Sequence, residues 1–161
     1  HVIPGDGPAA EVVSRSRTAL AGGSLRLGTE PWVDDRWPVS VKGVLTLGGR
    51  TVVLRNDRDE WELPGGRLEM ADESPAAALR REFREELDIE VEIGGLIDSW
   101  IYDVAGRRVL IVTYACTAAE PTALDELRHS DEHRAVGAFT LDELRAERIP
   151  DGYVRSVSGV C

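Results

Sequence analysis

Three glutamates, Glu82, Glu85 and Glu86, stand at i, i+3 and i+4 within a run that reads REFREEL. At 3.6 residues per turn, that spacing projects all three carboxylates from one patch of a helix. Like charges so placed repel, at roughly 0.2–0.5 kcal/mol per pair on an exposed helix. A divalent cation removes the repulsion, and hard cations take oxygen ligands. The competing use of the run is a solvated face, with Arg80, Arg81 and Arg84 as ion-pair partners. Upstream, Gly65 and Gly66 close a Trp-Glu-Leu-Pro run that begins at Trp61. Such a pair lets the backbone approach a ligand closely or turn with positive φ. A tight glycine turn feeding a carboxylate-rich helix is what a metal–phosphate site requires, and it favours the cation over the solvated face.

The elements that must hold these groups are legible around them. Ser74 is the expected N-cap, and Pro75 suits the first helical position. Ala76, Leu79, Phe83 and Leu87 recur at helical spacing and predict the buried stripe. Before the helix, Val39 to Leu47 and Thr51 to Arg55 read as strands of a hairpin, joined by Gly48-Gly49. After it, Glu90 to Val104 reads as a long strand, with a bulge at Gly94-Gly95. Ala105-Gly106 turns it into a returning strand, Arg107 to Ala119. An acidic loop follows, then a last strand at Arg134 to Phe139, a capping box from Thr140 to Glu143, and a final short helix opened by Pro150-Asp151-Gly152. Strands, helix, strands, helix is the order of a mixed α/β sheet with helices over its faces.

Composition sets outer limits. A chain of 161 residues with 42% hydrophobic and 30% charged residues suits one domain with one core. A formal net charge of −10 argues against binding a nucleic-acid polymer, whose phosphates demand Lys and Arg. It leaves room for a small phosphorylated substrate, because bound cations reverse the local sign. The two cysteines, Cys116 and Cys161, form neither a metal-ligand spacing nor a disulfide framework, so a reducing, cytoplasmic location is expected. No apolar run reaches the roughly 20 residues of a membrane span, and no signal-peptide pattern is present. The first residue is His1 rather than Met, which predicts a trimmed or tag-derived start.

The central stretch resembles the Nudix family. Its box reads Gly, five residues, Glu, seven residues, then Arg-Glu-aliphatic-X-Glu-Glu-X-Gly-aliphatic. Here Gly66 is followed by Glu73, seven residues, and Arg81-Glu82-Phe83-Arg84-Glu85-Glu86-Leu87-Asp88-Ile89. So long a spaced pattern rarely arises by chance. Leu63-Pro64-Gly65-Gly66 and Leu68-Glu69 are also similar to the family. Two departures stand out. Six residues separate Gly66 from Glu73, so either Asp72 or Glu73 stands for the first Glu of the box; Glu73 keeps the spacing to Arg81. Asp88 replaces the Gly, at a position that favours a left-handed residue, which Asp tolerates. No helix carboxylate is lost, so activity is expected to survive.

The resemblance implies a Nudix fold, α/β, with a mixed β-sheet in an α/β/α sandwich and a loop–helix–loop catalytic motif. Residues 31–161 are expected to form that domain. Residues 1–30, rich in Gly, Ala, Ser and Pro, are expected to form an arm, flexible or at a dimer contact. The implied reaction is hydrolysis of a pyrophosphate bond in a nucleoside diphosphate linked to another moiety, with Mg2+, or Mn2+, as cofactor. The implied partners are that small substrate and a second copy of the chain in a homodimer, with no membrane.

Site residues follow from the same resemblance. Glu82, Glu85 and Glu86 are the expected metal ligands, with Gly66 and Glu73 beside them. Arg81 orients the glutamates, since Arg does not deprotonate in proteins. The general base is a box glutamate, Glu82 or Glu86, or a loop carboxylate, Glu132 or Glu126. His129 and His133 read as surface residues. Gly65, Gly66, Arg55 and Trp61 are expected at the substrate, with Arg58 and Arg107 as further phosphate or ribose contacts. Trp100 and Tyr102 share one strand face, as a stacking platform for a base or as core. The alternative function is a non-cleaving nucleotide-binding module or sensor of the same fold. Isomerisation of isopentenyl diphosphate, another activity of the fold, would want a catalytic cysteine, for which Cys116 in an apolar strand is poorly placed.

Overall fold

The computed structural model describes residues 37–160. The expected arm at 1–30, the expected domain start at 31 and Cys161 lie outside the described residues. Six strands and three helices follow: β1 (Val39–Leu47), β2 (Arg50–Arg55), β3 (Trp61–Glu62), α1 (Pro75–Leu87), β4 (Val91–Val104), β5 (Arg107–Ala118), β6 (Ala135–Phe139), α2 (Leu141–Leu144) and α3 (Asp151–Ser158). The anticipated strand limits hold to within a residue. The brief β3, which pattern alone does not reveal, pairs with β2 through Leu54 opposite Glu62.

The sheet runs β3-β2-β1-β5-β4, with β6 on the other edge of β2. It is mixed: β1 and β5 are parallel, with Val39 opposite Leu110, and the other pairs are antiparallel. Register shifts between Ile93 and Asp98 mark the expected bulge in β4. A central strand covered on both faces reads as a near-continuous apolar run. The middle of β1, Val41 to Leu45, fits apart from Lys42, which is buried nonetheless.

One face of the sheet packs under α1, through Val41, Leu45, Val52 and Leu54 against Leu79, Phe83 and Leu87. Fully burying a Leu or Phe side chain contributes about 1.5–3 kcal/mol. The other face packs Val44, Val53, Trp61, Leu63 and Ile111 against Leu144, Tyr153 and Val157 of α2 and α3. This is the layered arrangement that the resemblance implies. Among the described residues, no helix is long and apolar enough to cross a membrane.

The local signals of α1 are realised. Ser74 Oγ accepts the Ala77 N–H at 3.1 Å, a cap worth about 1 kcal/mol. Asp88 closes the helix in the left-handed region, at φ 56°. The buried stripe differs in one member: Ala78 is buried, whereas Ala76 is half-buried. Ala78, Glu82 and Glu86 form an i, i+4, i+8 row beside the row of Leu79, Phe83 and Leu87. Two of the carboxylates therefore lie on the edge of the core rather than on the open face.

Candidate active site

The glycine turn runs along the edge of β1. Val41 N–H donates to the Gly66 carbonyl, Gly43 N–H to the Pro64 carbonyl and Leu68 N–H to the Val39 carbonyl, each at 2.9 Å. Gly65 adopts φ +123°, and a Cβ there would stand 2.2 Å from the Val41 carbonyl oxygen. A Cβ on Gly66 would stand 2.4 Å from Glu82 Oε1. The turn thus presses its backbone against β1 on one side and against the helix carboxylates on the other.

Glu86 is the most enclosed of the three glutamates. Its Oε2 accepts the Gly65 N–H at 2.7 Å, and its Oε1 lies 3.5 Å from His133 Nε2. Burial raises the Glu86 carboxyl to about 7, against the opposing pull of Lys42 and the Gly65 N–H. Burial raises Glu82 as well. Glu82 Oε1 lies 2.9 Å from Arg81 Nη1, and the same Nη1 reaches Glu85 Oε2 at 2.9 Å. Glu85 is the exposed member, its side chain 58% accessible.

Arg81 is anchored on Asp72. Its Nε donates to Oδ1 at 3.3 Å and its Nη2 to Oδ2 at 3.2 Å, holding the guanidinium pKa well above its ordinary value. Asp72 Oδ2 also accepts the Glu69 N–H at 2.8 Å, which folds the inserted loop onto the helix. Glu73 is exposed and has no hydrogen bond or ion pair among the described residues. The Arg81 contact therefore goes to Asp72, which has five residues between it and Gly66 as the box spacing has, and not to Glu73.

Around Glu86 the structure gathers residues that spacing did not indicate. Lys42 Nζ donates to Glu62 Oε2 at 3.2 Å and to the Gly65 carbonyl. Burial pulls the Lys42 ammonium down, but Glu62, Tyr153 and Glu86 together outweigh it, so the group stays charged. Burial likewise pushes Glu62 up, but Lys42 and His133 override it and leave the carboxyl at about 2. His133 is not the surface residue expected from its polar loop: its side chain is 8% exposed, with Nε2 3.8 Å from Glu62 Oε1. A hydrogen bond from Ser130 N–H to the Glu86 carbonyl draws that loop over the end of α1. The adjacent carboxylate raises the His133 pKa. The one available signal for Lys42 was a lone cation inside an apolar strand.

The remaining expected residues divide. Glu132 is exposed, and Glu126 caps the Ala123 N–H at 3.0 Å. Trp61 is 7% exposed and meets Phe139 edge-on at 5.2 Å, while its Nε1 donates to Glu147 at 2.9 Å. Arg55 stands over the Trp61 ring at 5.3 Å, with its Nε 2.9 Å from Asp59 Oδ1. Trp100 packs edge-on against Tyr153 at 5.0 Å, and Tyr102 donates to Glu60 Oε2 at 3.0 Å. Trp100 and Tyr102 thus lie, half-buried, against the α3 side of the core.

Among the described residues, no three His, Cys, Asp or Glu side chains converge as a metal cage. Glu82 and Glu85 both contact Arg81 Nη1 there. The donor set still fits a hard cation. Glu82 and Glu86 sit half-buried and buried on one helical row, and burial disfavours the ionised form of both. A bound cation would further favour the ionised form of both.

A family model described as NUDIX domain matches residues 37–157. A MutT-like protein of Streptomyces ambofaciens is 38% identical over 117 residues, which is 71% of each chain. A CTP pyrophosphohydrolase of Escherichia coli (strain K12) is 49% identical over 47 residues, 29% of this chain and 34% of that protein. Among solved structures, a MutT NUDIX hydrolase from Burkholderia pseudomallei superposes with a TM-score of 0.65 at 25% identity, covering 78% of this chain and 99% of that one.

Proposed function

The chain belongs to the Nudix hydrolase family, and from that membership we propose that it cleaves a phosphoanhydride bond in a nucleoside diphosphate linked to a further group. The observation that carries the reading is the placement of Glu82 and Glu86 on the row of α1 that faces the Gly65-Gly66 turn, with Glu86 buried. Glu82, Glu85 and Glu86 would hold Mg2+ or Mn2+, with the Gly66 backbone beside Glu82 and Glu73 at the end of the loop that precedes the helix. Bound there, the cation supplies neutralisation of diphosphate charge and activation of water. Arg81, fixed by Asp72, gathers Glu82 and Glu85 on one guanidinium nitrogen and so orients two of these ligands. Glu82 or Glu86 accepts the proton of the attacking water, since burial favours the protonated form of each. Glu132 is the base only if its loop closes on the site.

The similarity to a CTP pyrophosphohydrolase favours a nucleoside triphosphate as the substrate, the further group then being phosphate. Gly65 and Gly66 offer the approach for the phosphates. Trp61 and Arg55, expected at the substrate, stand 5.3 Å apart, with Trp61 on β3, the strand that leads into the turn. The test is release of pyrophosphate or nucleotide from a panel of nucleoside triphosphates, ADP-ribose, nucleotide sugars and dinucleoside polyphosphates, with and without Mg2+. Metal-dependent cleavage of one class supports the reading and names the substrate. Metal binding without cleavage across the panel overturns it in favour of a non-cleaving module.

A further inference from the structure

Lys42 is the buried charge that the proposed reaction does not use. It is 5% exposed on the central strand. Its Nζ donates to Glu62 Oε2 at 3.2 Å and to the Gly65 carbonyl. The N–H of that same Gly65 donates to Glu86 Oε2 at 2.7 Å. Both polar groups of one glycine are therefore taken from opposite sides, by an ammonium on β1 and a carboxylate on α1.

The turn is otherwise stitched to β1 by backbone bonds at Pro64, Gly66 and Leu68. The Gly65 carbonyl is the group those bonds leave over, and a buried carbonyl without a donor costs about 1–3 kcal/mol. Lys42 meets that need. The links then close on themselves: Lys42 to Glu62, Glu62 to His133 at 3.8 Å, His133 to Glu86 at 3.5 Å, Glu86 to Gly65, and Gly65 back to Lys42. The five residues come from β1, β3, the glycine turn, α1 and the loop before β6.

We propose that Lys42 is a positioning residue for the site, setting the place of the Glu86 carboxylate through the Gly65 backbone while touching neither the cation nor the substrate. This rests on the hydrolase reading for its consequence, because a misplaced Glu86 weakens cation binding and turnover. Loss of a group that orients a ligand costs about 10–100-fold in metal affinity or activity.

Lys42→Met alone strands the Glu62 charge in a buried place and risks unfolding. Lys42→Met/Glu62→Leu removes both charges at similar volume and is the variant to compare. Three quantities are measured on the full chain: the thermal midpoint, the Gly65 amide exchange rate without metal, and the Mn2+ dissociation constant by electron paramagnetic resonance. The expected result is a folded double variant whose Gly65 amide exchanges about tenfold faster or more and whose Mn2+ binding weakens by about 10–100-fold. On a substrate from the panel, kcat falls with KM nearly unchanged. A folded variant with wild-type Gly65 exchange and wild-type Mn2+ affinity overturns the assignment and leaves Lys42 a plain buried ion pair. Wild-type protein that binds no Mn2+ overturns the hydrolase reading instead. The Gly65 exchange rate still decides on Lys42 in that case.

Discussion

Arg81 and Asp72 form a two-point contact, with the guanidinium Nε and Nη2 on the two carboxylate oxygens at 3.3 and 3.2 Å. The same Arg81 reaches Glu82 and Glu85 through Nη1. Asp72 therefore governs where two of the proposed ligands sit. Asp72→Ala should lower turnover by about 10–100-fold, the range for groups that orient metal ligands, and more than Glu73→Ala does. Steady-state kinetics on both variants decides the matter, and a larger loss at Glu73 would return the first box position to that residue.

The helix carboxylates carry the chemistry in unequal settings. Glu86 is buried and Glu85 is mostly exposed. Glu82→Gln, Glu85→Gln and Glu86→Gln should each depress turnover by about tenfold or more at saturating Mg2+, with Glu82 and Glu86 the more severe. Far-UV circular dichroism should match wild type in all three. Full activity in the Glu82 and Glu86 variants would remove them from the site.

The two glycines should fail in different ways when changed to alanine. At Gly65, φ +123° and a Cβ 2.2 Å from a backbone oxygen offer no escape. Gly65→Ala should cost about 1–3 kcal/mol from backbone strain alone, before the clash is added. At Gly66 the obstructing atoms belong to the Glu82 side chain, which can swing aside. Gly66→Ala should melt near wild type yet lose turnover. Thermal melts paired with kinetics separate the two, and equal melting of both variants would contradict the geometry.

The Lys42–Glu62 pair predicts an acid limb of stability. The Glu62 carboxyl lies at about 2 in the folded chain against an ordinary 4.5. A depressed carboxyl stabilises fully above its unfolded value and loses that contribution as pH falls from 4.5 through about 2. At about 1.4 kcal/mol per pKa unit, the contribution is on the order of 3 kcal/mol. Urea unfolding should show Glu62→Gln weaker than wild type near neutral pH, with the gap narrowing below pH 4.5. A gap independent of pH would mean that the loss comes from packing.

Much of this was legible because its causes are local. Ser74, Pro75 and the row of Leu79, Phe83 and Leu87 announce α1 through capping and period alone. The bulge in β4 follows from Gly94-Gly95, and the Thr140 capping box from its own side chains. What escaped depends on distant contact. His133 looks like loop surface until the Ser130 bond to Glu86 brings it inside. Ala78 replaces Ala76 in the stripe because the sheet, not the helix, decides which side is covered. Trp61, Trp100 and Tyr102 are aromatic in any reading, and only the packing of α3 and β6 shows which of their faces are taken. Asp72 could have been preferred on spacing, since it keeps the distance from Gly66 as Glu73 keeps the distance to Arg81; an insertion satisfies one rule by breaking the other.

The parallel pairing of β1 with β5 has a consequence for how the molecule comes into being. During synthesis the N-terminal strands leave the ribosome first, yet β1 cannot find its partner until α1, β4 and most of β5 have followed. β1 and β2 meet only at their turn, so the apolar faces of both wait with little cover of their own. Non-local pairing of this kind slows folding and exposes sticky intermediates. The ring through Lys42, Glu62, Glu86 and His133 closes later still, when the segment before β6 arrives. A ribosome stalled before His133 would thus carry β1 to β5 and α1 while still lacking β6, the α2–α3 cover of one sheet face and the histidine that completes the buried ring.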